Sequence, residues 1–205
     1  MTIIEPSVSL EWVTPSAAKM IERAARTCYK SAESKTAAET DAFIERISLQ
    51  RGHESVLEHA VISVRIICDR AISHEIVRHR IAAYSQESTR YVNYTKDRHG
   101  AGDIQFILPL DLNEAQKDHF LEWYQHDQDY YNQAIKLGCT PQQARDGLPN
   151  GVKTELVMTV NFREARHILT LRTSSKAHPK MRVVAKQFGW ICAEVCPILF
   201  QPWAR

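Results

Sequence analysis

The chain has 205 residues, of which 44% are hydrophobic and 24% are charged, and its formal net charge is +2. This composition is typical of a soluble globular protein, and the charge is too small for a general nucleic-acid binder. The sequence contains no run of about 18 apolar residues, so we expect no membrane-spanning segment. The amino terminus, MTIIEPSVSLEW, has an acidic residue and a proline where a signal peptide needs basic and then apolar residues. We therefore expect a cytoplasmic protein.

The predicted elements follow from where apolar residues alternate, run together or recur every three to four positions. The first predicted elements are a half-buried strand at 8–13, a helix capped by Thr14 with Pro15 in its first position, and a helix that starts at Thr40 or Asp41 and ends at Gly52. A buried strand at 60–69, a helix at about 71–79, a buried strand at 104–110 and a helix at 113–137 follow. The last are a short helix from Thr140, a strand at 152–161, a helix capped by Asn161, and a helix from His178 to before Pro197. Glu164 follows Asn161 by three residues, as in a capping box. These elements predict an α+β fold, in which residues 1–205 form a single mixed domain with a central antiparallel or mixed sheet flanked by helices.

Neither the cysteines nor the histidines have the spacing of a metal site. The five cysteines lack paired CxxC spacing and are odd in number, which argues against a disulfide framework and a structural zinc site. Cys192 and Cys196 are four residues apart in a helical pattern, so we predict that both are buried apolar thiols. His53 and His59 are six residues apart and do not share a helix face, so we predict no metal site there.

Residues 75–94, EIVRHRIAAYSQESTRYVNY, begin as an amphipathic helix and continue as a run of polar side chains. Arg78, His79 and Arg80 are adjacent, and seven residues separate them from Ser88, which a Thr-Arg-Tyr run follows. A solvated helix end would explain the arginines but not the hydroxyls and amides after them. Guanidinium groups bind phosphate oxygens in two-pronged fashion, and hydroxyls fill the remaining acceptor positions. The stretch therefore predicts a site for a phosphorylated, hydrogen-bonding small molecule such as a nucleotide.

The spacing Arg-His-Arg, seven residues, then Ser-Thr-Arg-Tyr resembles the signature of the flavin-dependent thymidylate synthases. Three other segments resemble further parts of that family's pattern and occur in the family's order: RGHESVLEH at 51–59, ARDGLP at 144–149 and TVNFREARHILTLR at 159–172. The resemblance covers roughly residues 10–200. It implies a mixed α/β protein that assembles as a homotetramer with shared active sites. It also implies an enzyme that makes thymidylate from deoxyuridine monophosphate (dUMP) with FAD, NADPH and 5,10-methylenetetrahydrofolate.

The resemblance assigns roles to residues by position. The expected flavin contacts are Ser55, Arg78, His79, Arg80, Gln86, Asn161, Arg163 and His167, with His53 beside the flavin and the folate. The expected dUMP contacts are Glu75, Arg78, Gln86, Glu87, Ser88, Thr89, Arg90, Arg145 and Arg172. The family pattern is not matched everywhere, since many members have Glu and an apolar residue at the positions of Gln86 and Glu87. Lys176 stands where some relatives place a flavin-contacting histidine, and His178 is the alternative two residues on.

The chemistry of the residues agrees with a flavin route to methylation at C5 of uracil. C5 is a poor nucleophile, and the polar motifs contain no cysteine whose thiolate could activate the ring. Arg172 could instead stabilise negative charge on the pyrimidine, which makes it the predicted catalytic residue. Since its neighbours Glu87 and Arg90 are poor candidates for a general base, we predict that Ser88 hydrogen-bonds phosphate or pyrimidine and is not a nucleophile.

Two other classes of function stay open from the sequence. A non-catalytic nucleotide-binding or regulatory protein could use the same arginines to sense a phosphorylated ligand. A nucleic-acid binder could use residues 78–98 as a basic strip with tyrosines, and its affinity would then fall steeply with salt. The near-neutral total charge argues against the second class.

Overall fold

The structure is a computed structural model that describes residues 1–204, with the side chains of all of these but residue 97. Within it the chain divides into two compact units. The first unit comprises Met1–Ser7, Ile67–Arg78 and Ser85–Leu156, and the second comprises Val8–Ile66, His79–Tyr84 and the chain from Val157 onward. The predicted single domain over residues 1–205 stays a prediction beside this division. Among the described residues no helix has the length and apolar content needed to cross a membrane.

Six strands form two sheets in the described part of the chain. They are β1 (Thr2–Ile3), β2 (Ser7–Val13), β3 (Val61–Asp69), β4 (Ala82–Gln86), β5 (Gln105–Phe106) and β6 (Lys153–Asn161). The larger sheet has the order β2-β3-β6-β4, and β1 pairs with β5 in parallel. In the larger sheet β3 and β6 are antiparallel, because Phe162 N donates to Ala60 O at one end of the pair and Arg70 N donates to Val152 O at the other.

Eight α-helices accompany the strands over residues 1–204. They are α1 (Ala17–Thr27), α2 (Ala37–Ile44), α3 (Arg70–Ile76), α4 (Glu114–Lys136), α5 (Pro141–Ala144), α6 (Phe162–Arg172), α7 (Pro179–Val195) and α8 (Pro197–Phe200). A π-helix at Glu45–Gln50 continues α2, and 3-10 turns occur at Glu54–His59, Asp97–His99, Arg145–Gly147 and Gln201–Trp203. The predicted mixture of helices and an antiparallel sheet is thereby confirmed.

The core of the first unit is built on aromatic residues of α4 and β5. Phe106 and Tyr124 are stacked with their ring centroids 4.6 Å apart, and Tyr94 and Tyr131 meet edge to face at 5.6 Å. Gly151 lies so close to this core that an added Cβ would fall 2.0 Å from the Tyr124 hydroxyl. A side chain at this position is therefore excluded by the tyrosine rather than by backbone conformation.

The core of the second unit surrounds α6 and α7. Phe162, Phe188 and Phe200 are fully buried, and the rings of Phe162 and Phe200 meet edge to face at 5.2 Å. Cys192 and Cys196 are buried as predicted, and burial raises the pKa of the Cys196 thiol to about 11. These thiols therefore stay protonated and serve as small apolar side chains.

The structure corrects several of the predicted elements. Thr14 does not cap the first helix, because its hydroxyl accepts from Val61 N and donates to Val61 O, and Ser16 occupies the cap position without a side-chain hydrogen bond. The strand expected at 104–110 pairs over only two residues, at β5. Strand β2 forms where expected but is not half-buried, since Leu10 and Trp12 are 45% and 52% exposed. Strand β4 was not predicted at all.

Candidate active site

The first unit holds most of the residues that the resemblance assigns to dUMP. Glu75 lies on α3 and Arg78 lies exposed just beyond it, while Gln86 ends β4. The Gln86 amide donates to Ser73 Oγ at 2.9 Å and to Thr154 Oγ1 at 3.1 Å, so its position is fixed from two directions. The orientation leaves the Gln86 carbonyl oxygen as the group that can accept from a ligand.

Glu87 is held by a network that the sequence did not indicate. Its carboxylate accepts from Tyr94 Oη at 2.9 Å and from Lys153 Nζ at 2.9 Å, and its N–H donates to Glu155 O at 2.8 Å. Burial, with Glu87 next in importance, raises the pKa of Tyr94, so the tyrosine stays a protonated donor. Glu87 is thus already paired within the chain.

The residues after Glu87 form a tight turn beside α5. Ser88 Oγ accepts from Arg90 N at 3.3 Å, Thr89 is buried, and the exposed Arg90 donates through Nε to Gln142 Oε1 at 2.5 Å. The half-buried Arg145 follows α5 in a 3-10 turn. The hydrogen bond to Gln142 therefore joins the turn that carries Arg90 to the helix that precedes Arg145.

The second unit holds most of the expected flavin contacts. A cavity of about 540 Å³ is lined by Glu54, Glu58, Ile81, Asn161, Arg163, Glu164, Arg166, His167 and Thr170. Three of the expected contacts, Asn161, Arg163 and His167, are among these residues. His53 and Ser55 lie exposed at the start of the 3-10 turn that carries Glu54 and Glu58, and Arg80 is also exposed. The predicted flavin residues of this unit thus gather mainly at one cavity.

Charge in this cavity is distributed between two arginines and several carboxylates. Arg163 Nη1 lies 2.6 Å from Glu58 Oε1, and Arg163 Nε lies 3.7 Å from Glu54 Oε2. Arg166 Nη1 donates to Leu199 O, and its buried Nε has no hydrogen-bond partner among the described residues. Burial also lowers the pKa of Arg166. An orphaned guanidinium N–H needs an acceptor, which a water molecule or a bound ligand would supply.

Three side chains of the second unit are joined in a row. Glu164 Oε1 lies 3.4 Å from His79 Nδ1, and Arg172 Nε donates to His79 Nε2 at 2.9 Å. The His79 and Glu164 side chains are only 6% and 10% exposed. His167 meets the His79 ring edge to face, with the centroids 6.1 Å apart. Since both nitrogens of His79 have protein partners, its expected contact with FAD stays a prediction.

Among the described residues, one group has the spacing of metal ligands: His79, Glu164 and His167, whose ligand atoms lie within 4.8 Å of one another. The group is a poor cation site on electrostatic grounds, because the Arg172 guanidinium donates to the same imidazole. A metal ion on His79 would have to displace Arg172 and overcome the repulsion between two cations.

The residues present fit FAD by their donor set. Arg166, Asn161 and His167 line one cavity, and their N–H groups suit an acceptor-rich dinucleotide. The exposed guanidinium group of Arg80 in the same unit suits its diphosphate. Arg163 can bind the cofactor only if it exchanges or shares its carboxylate partners.

Comparison with solved structures shows which fold this is. The chain is similar to a UMP/dUMP methylase, PolB from Streptomyces cacaoi bound with 5-Br dUMP, with a TM-score of 0.84 at 20% identity over 98% of this chain and 96% of that one. It is also similar to the flavin-dependent thymidylate synthase ThyX from Helicobacter pylori complexed with FAD and dUMP, with a TM-score of 0.77 at 23% identity over 97% of this chain and 100% of that one. At these identities the likeness shows that the fold is of the ThyX type.

Sequence comparison identifies the family. The family model "Thymidylate synthase complementing protein" matches residues 9–198. The flavin-dependent thymidylate synthase of Geobacter sulfurreducens is 34% identical in an alignment of 197 residues that covers 92% of this chain and 82% of that protein. That of Thermococcus onnurineus is 36% identical in an alignment of 162 residues that covers 75% of this chain and 63% of that protein. The chain belongs to the flavin-dependent thymidylate synthase family, and it spans 55–63% of the length of the archaeal relatives.

Proposed function

We propose that this chain makes thymidylate from dUMP, with 5,10-methylenetetrahydrofolate as carbon donor and NADPH as reductant through FAD. The observation that carries the proposal is the family match over residues 9–198, which includes all the arginines expected at the nucleotide. Of the relatives, the Geobacter protein supports it most, since its match extends over 92% of this chain. The proposed location of the enzyme is the cytoplasm.

The proposed role of the arginines is to bind phosphate and to stabilise charge. Arg78, Arg90 and Arg145 would bind the phosphate and pyrimidine oxygens of dUMP, where guanidinium groups form paired, charge-assisted hydrogen bonds. Arg172 would stabilise negative charge on the pyrimidine ring as C5 becomes nucleophilic. An arginine does not lose its proton at working pH, so its contribution is electrostatic and not that of a base.

The proposed flavin residues are Asn161, Arg163 and His167 at the cavity in the second unit, together with Arg78, His79, Arg80, Gln86 and the exposed His53 and Ser55. Bound FAD would supply the hydride that completes the methyl group. Asn161, Arg163 and His167 would hold and orient the cofactor, and the orphaned Arg166 Nε would donate to one of its acceptors.

The proposed assembly is a homotetramer in which each active site draws residues from more than one copy. Large apolar side chains that lie exposed in the single chain support an interface, among them Trp12, Ile81 and Leu137. We also propose that residues 1–205 act as one functional domain, since the family match runs through both compact units.

The flavin part of the proposal predicts a colour change. Protein incubated with FAD and freed of excess cofactor should keep the absorbance of oxidised flavin, and NADPH added without oxygen should bleach it because the bound flavin is reduced. The measurement is an anaerobic absorbance spectrum before and after NADPH, with buffer in place of NADPH as control. Protein that stays colourless after FAD would contradict the proposal, and dUMP binding without flavin would favour the regulatory alternative.

A further inference from the structure

We infer that Glu164 is a positioning residue for Arg172 and that it acts through His79. The inference rests on the proposed function, since Arg172 owes its catalytic role to it. Glu164 and Arg172 lie at opposite ends of α6. They are eight residues apart, so at 1.5 Å per residue their backbones are about 12 Å apart along the helix. His79, from another part of the second unit, joins the two.

The capping of α6 explains the contact of the Glu164 backbone N–H but not the position of its carboxylate. Asn161 Oδ1 accepts from Glu164 N at 2.9 Å, as expected for a capping residue. In a capping box the Glu164 carboxylate would return to the Asn161 N–H, but here it lies 3.4 Å from His79 Nδ1 and is almost fully buried. A buried carboxylate needs donors, and the imidazole N–H is the donor that faces it.

The hydrogen bond from Arg172 shows which tautomer of His79 is present. The Nε–H of Arg172 can only donate, so His79 Nε2 must be the acceptor and the proton of the neutral ring must be on Nδ1. That proton points to Glu164. In the other tautomer two N–H groups would face each other at Nε2, and Nδ1 would have no proton to donate to Glu164. Glu164 therefore stabilises the only neutral form of His79 that can hold Arg172.

The surroundings of His79 keep the ring uncharged. Burial, followed by the Arg172 charge, lowers the pKa of His79, while Glu164 opposes this and His167 adds to it. Tyr84 Oη donates to the His79 carbonyl at 2.9 Å, and burial raises the pKa of Tyr84 to about 12, so that it stays protonated. Protonation of His79 at Nε2 would remove the acceptor for Arg172 and place two cations side by side.

The tautomer is tested first, without any turnover. In 15N-labelled wild-type protein the His79 ring should show a protonated Nδ1 and an unprotonated Nε2, and the His79→Gln variant identifies its signals among the nine histidines. In Glu164→Gln the His79 ring should become a mixture of its two tautomers, because the glutamine amide can donate to Nδ1 as well as accept from it. The pKa of His79 should also be lower than in the wild type. A wild-type ring protonated at Nε2, or a tautomer unchanged in Glu164→Gln, would overturn the inference.

The catalytic effect is tested by a double-mutant cycle. Glu164→Gln should lower kcat about 10- to 100-fold, the range for residues that orient a functional group, with little change in KM for dUMP or in FAD affinity. His79→Gln combined with Glu164→Gln should cost no more than His79→Gln alone, and Glu164→Asp should restore part of the loss. The control Glu194→Gln changes an exposed residue of α7 and should leave kcat unaltered.

The outcomes separate the inference from the proposed function. Additive effects of Glu164→Gln and His79→Gln, or an unaltered kcat in Glu164→Gln, would refute the positioning role of Glu164. If wild-type protein makes no thymidylate, the proposed function fails, and the NMR measurement still decides whether Glu164 sets the tautomer of His79.

Discussion

Replacement of Arg172 with lysine is expected to lower kcat for thymidylate formation about 100- to 1000-fold, the range seen when one preorganised donor to a developing negative charge is removed. Lysine keeps the positive charge but lacks the planar fork and the Nε–H that Arg172 donates to His79 at 2.9 Å. The charge is therefore no longer fixed in position. Steady-state kinetics with dUMP, together with FAD titrations of the variant, measure the effect.

Arg23→Lys is the matched control for this experiment. Arg23 is an exposed arginine of α1 whose Nε lies 3.1 Å from Glu33 Oε1, so its replacement also removes a charged hydrogen bond. The kcat of Arg23→Lys should equal that of the wild type. A full kcat in Arg172→Lys, or an equal loss in both variants, would argue against the role of Arg172.

Replacement of Glu22 with glutamine is expected to cost about 3–5 kcal/mol of unfolding free energy at pH 7, because it removes the buried carboxylate at the centre of an ionic network. Glu22 is 0% exposed, and its carboxylate accepts from Arg26 Nε at 2.6 Å, Thr40 Oγ1 at 2.8 Å, Lys19 Nζ at 2.9 Å and Ser34 N at 2.7 Å. Urea unfolding of both proteins measures the difference.

The Glu22 effect should depend on pH in a definite direction. Burial alone would raise the pKa of Glu22, but the hydrogen bonds from Ser34, Lys19 and Arg26 outweigh it and hold the pKa well below the ordinary 4.5. A carboxyl group whose pKa is lower in the folded than in the unfolded state stabilises the fold fully when the pH is above the unfolded-state pKa. This stabilisation is lost as the pH falls towards the folded-state pKa. The difference between wild type and Glu22→Gln should therefore shrink below about pH 4.5.

Glu33→Gln provides the comparison for Glu22. Its side chain is 43% exposed, and it pairs with Arg23 and Lys19 at the surface. Exposed ion pairs contribute about 0–1 kcal/mol, so this variant should stay close to the wild type. If Glu22→Gln were no more destabilising than Glu33→Gln, the buried network would not stabilise the second unit in the way its geometry implies.

Strong local patterns made part of the fold predictable. The long helix α4 and the strands β3 and β6 have a regular pattern of apolar residues and clear end signals, such as the Asn113 capping box at the start of α4. Strand β4 is an edge strand of polar and half-exposed residues, so it carries neither an apolar run nor a clean alternation. The role of Thr14 depends on its pairing with Val61, which lies 47 positions along the chain and is invisible to local patterns.

The candidate site was predictable in residue type but not in arrangement. Guanidinium groups and hydroxyls at close spacing in the sequence are enough to indicate a phosphorylated ligand, and Arg163 and His167 do line one cavity. Glu164 was overlooked because a capping position already explained it. Its contact with His79 joins positions 85 residues apart, and only the folded chain brings them together.

The most direct test of the proposed activity is the formation of thymidylate itself. Protein loaded with FAD is incubated without oxygen with dUMP, NADPH and 5,10-methylenetetrahydrofolate, and the nucleotides are separated by chromatography. We expect dTMP to accumulate in proportion to enzyme and to be absent when FAD, the reductant or the folate is left out. Failure to form dTMP in the complete mixture, or formation of dTMP at the full rate without flavin, would contradict the proposed activity.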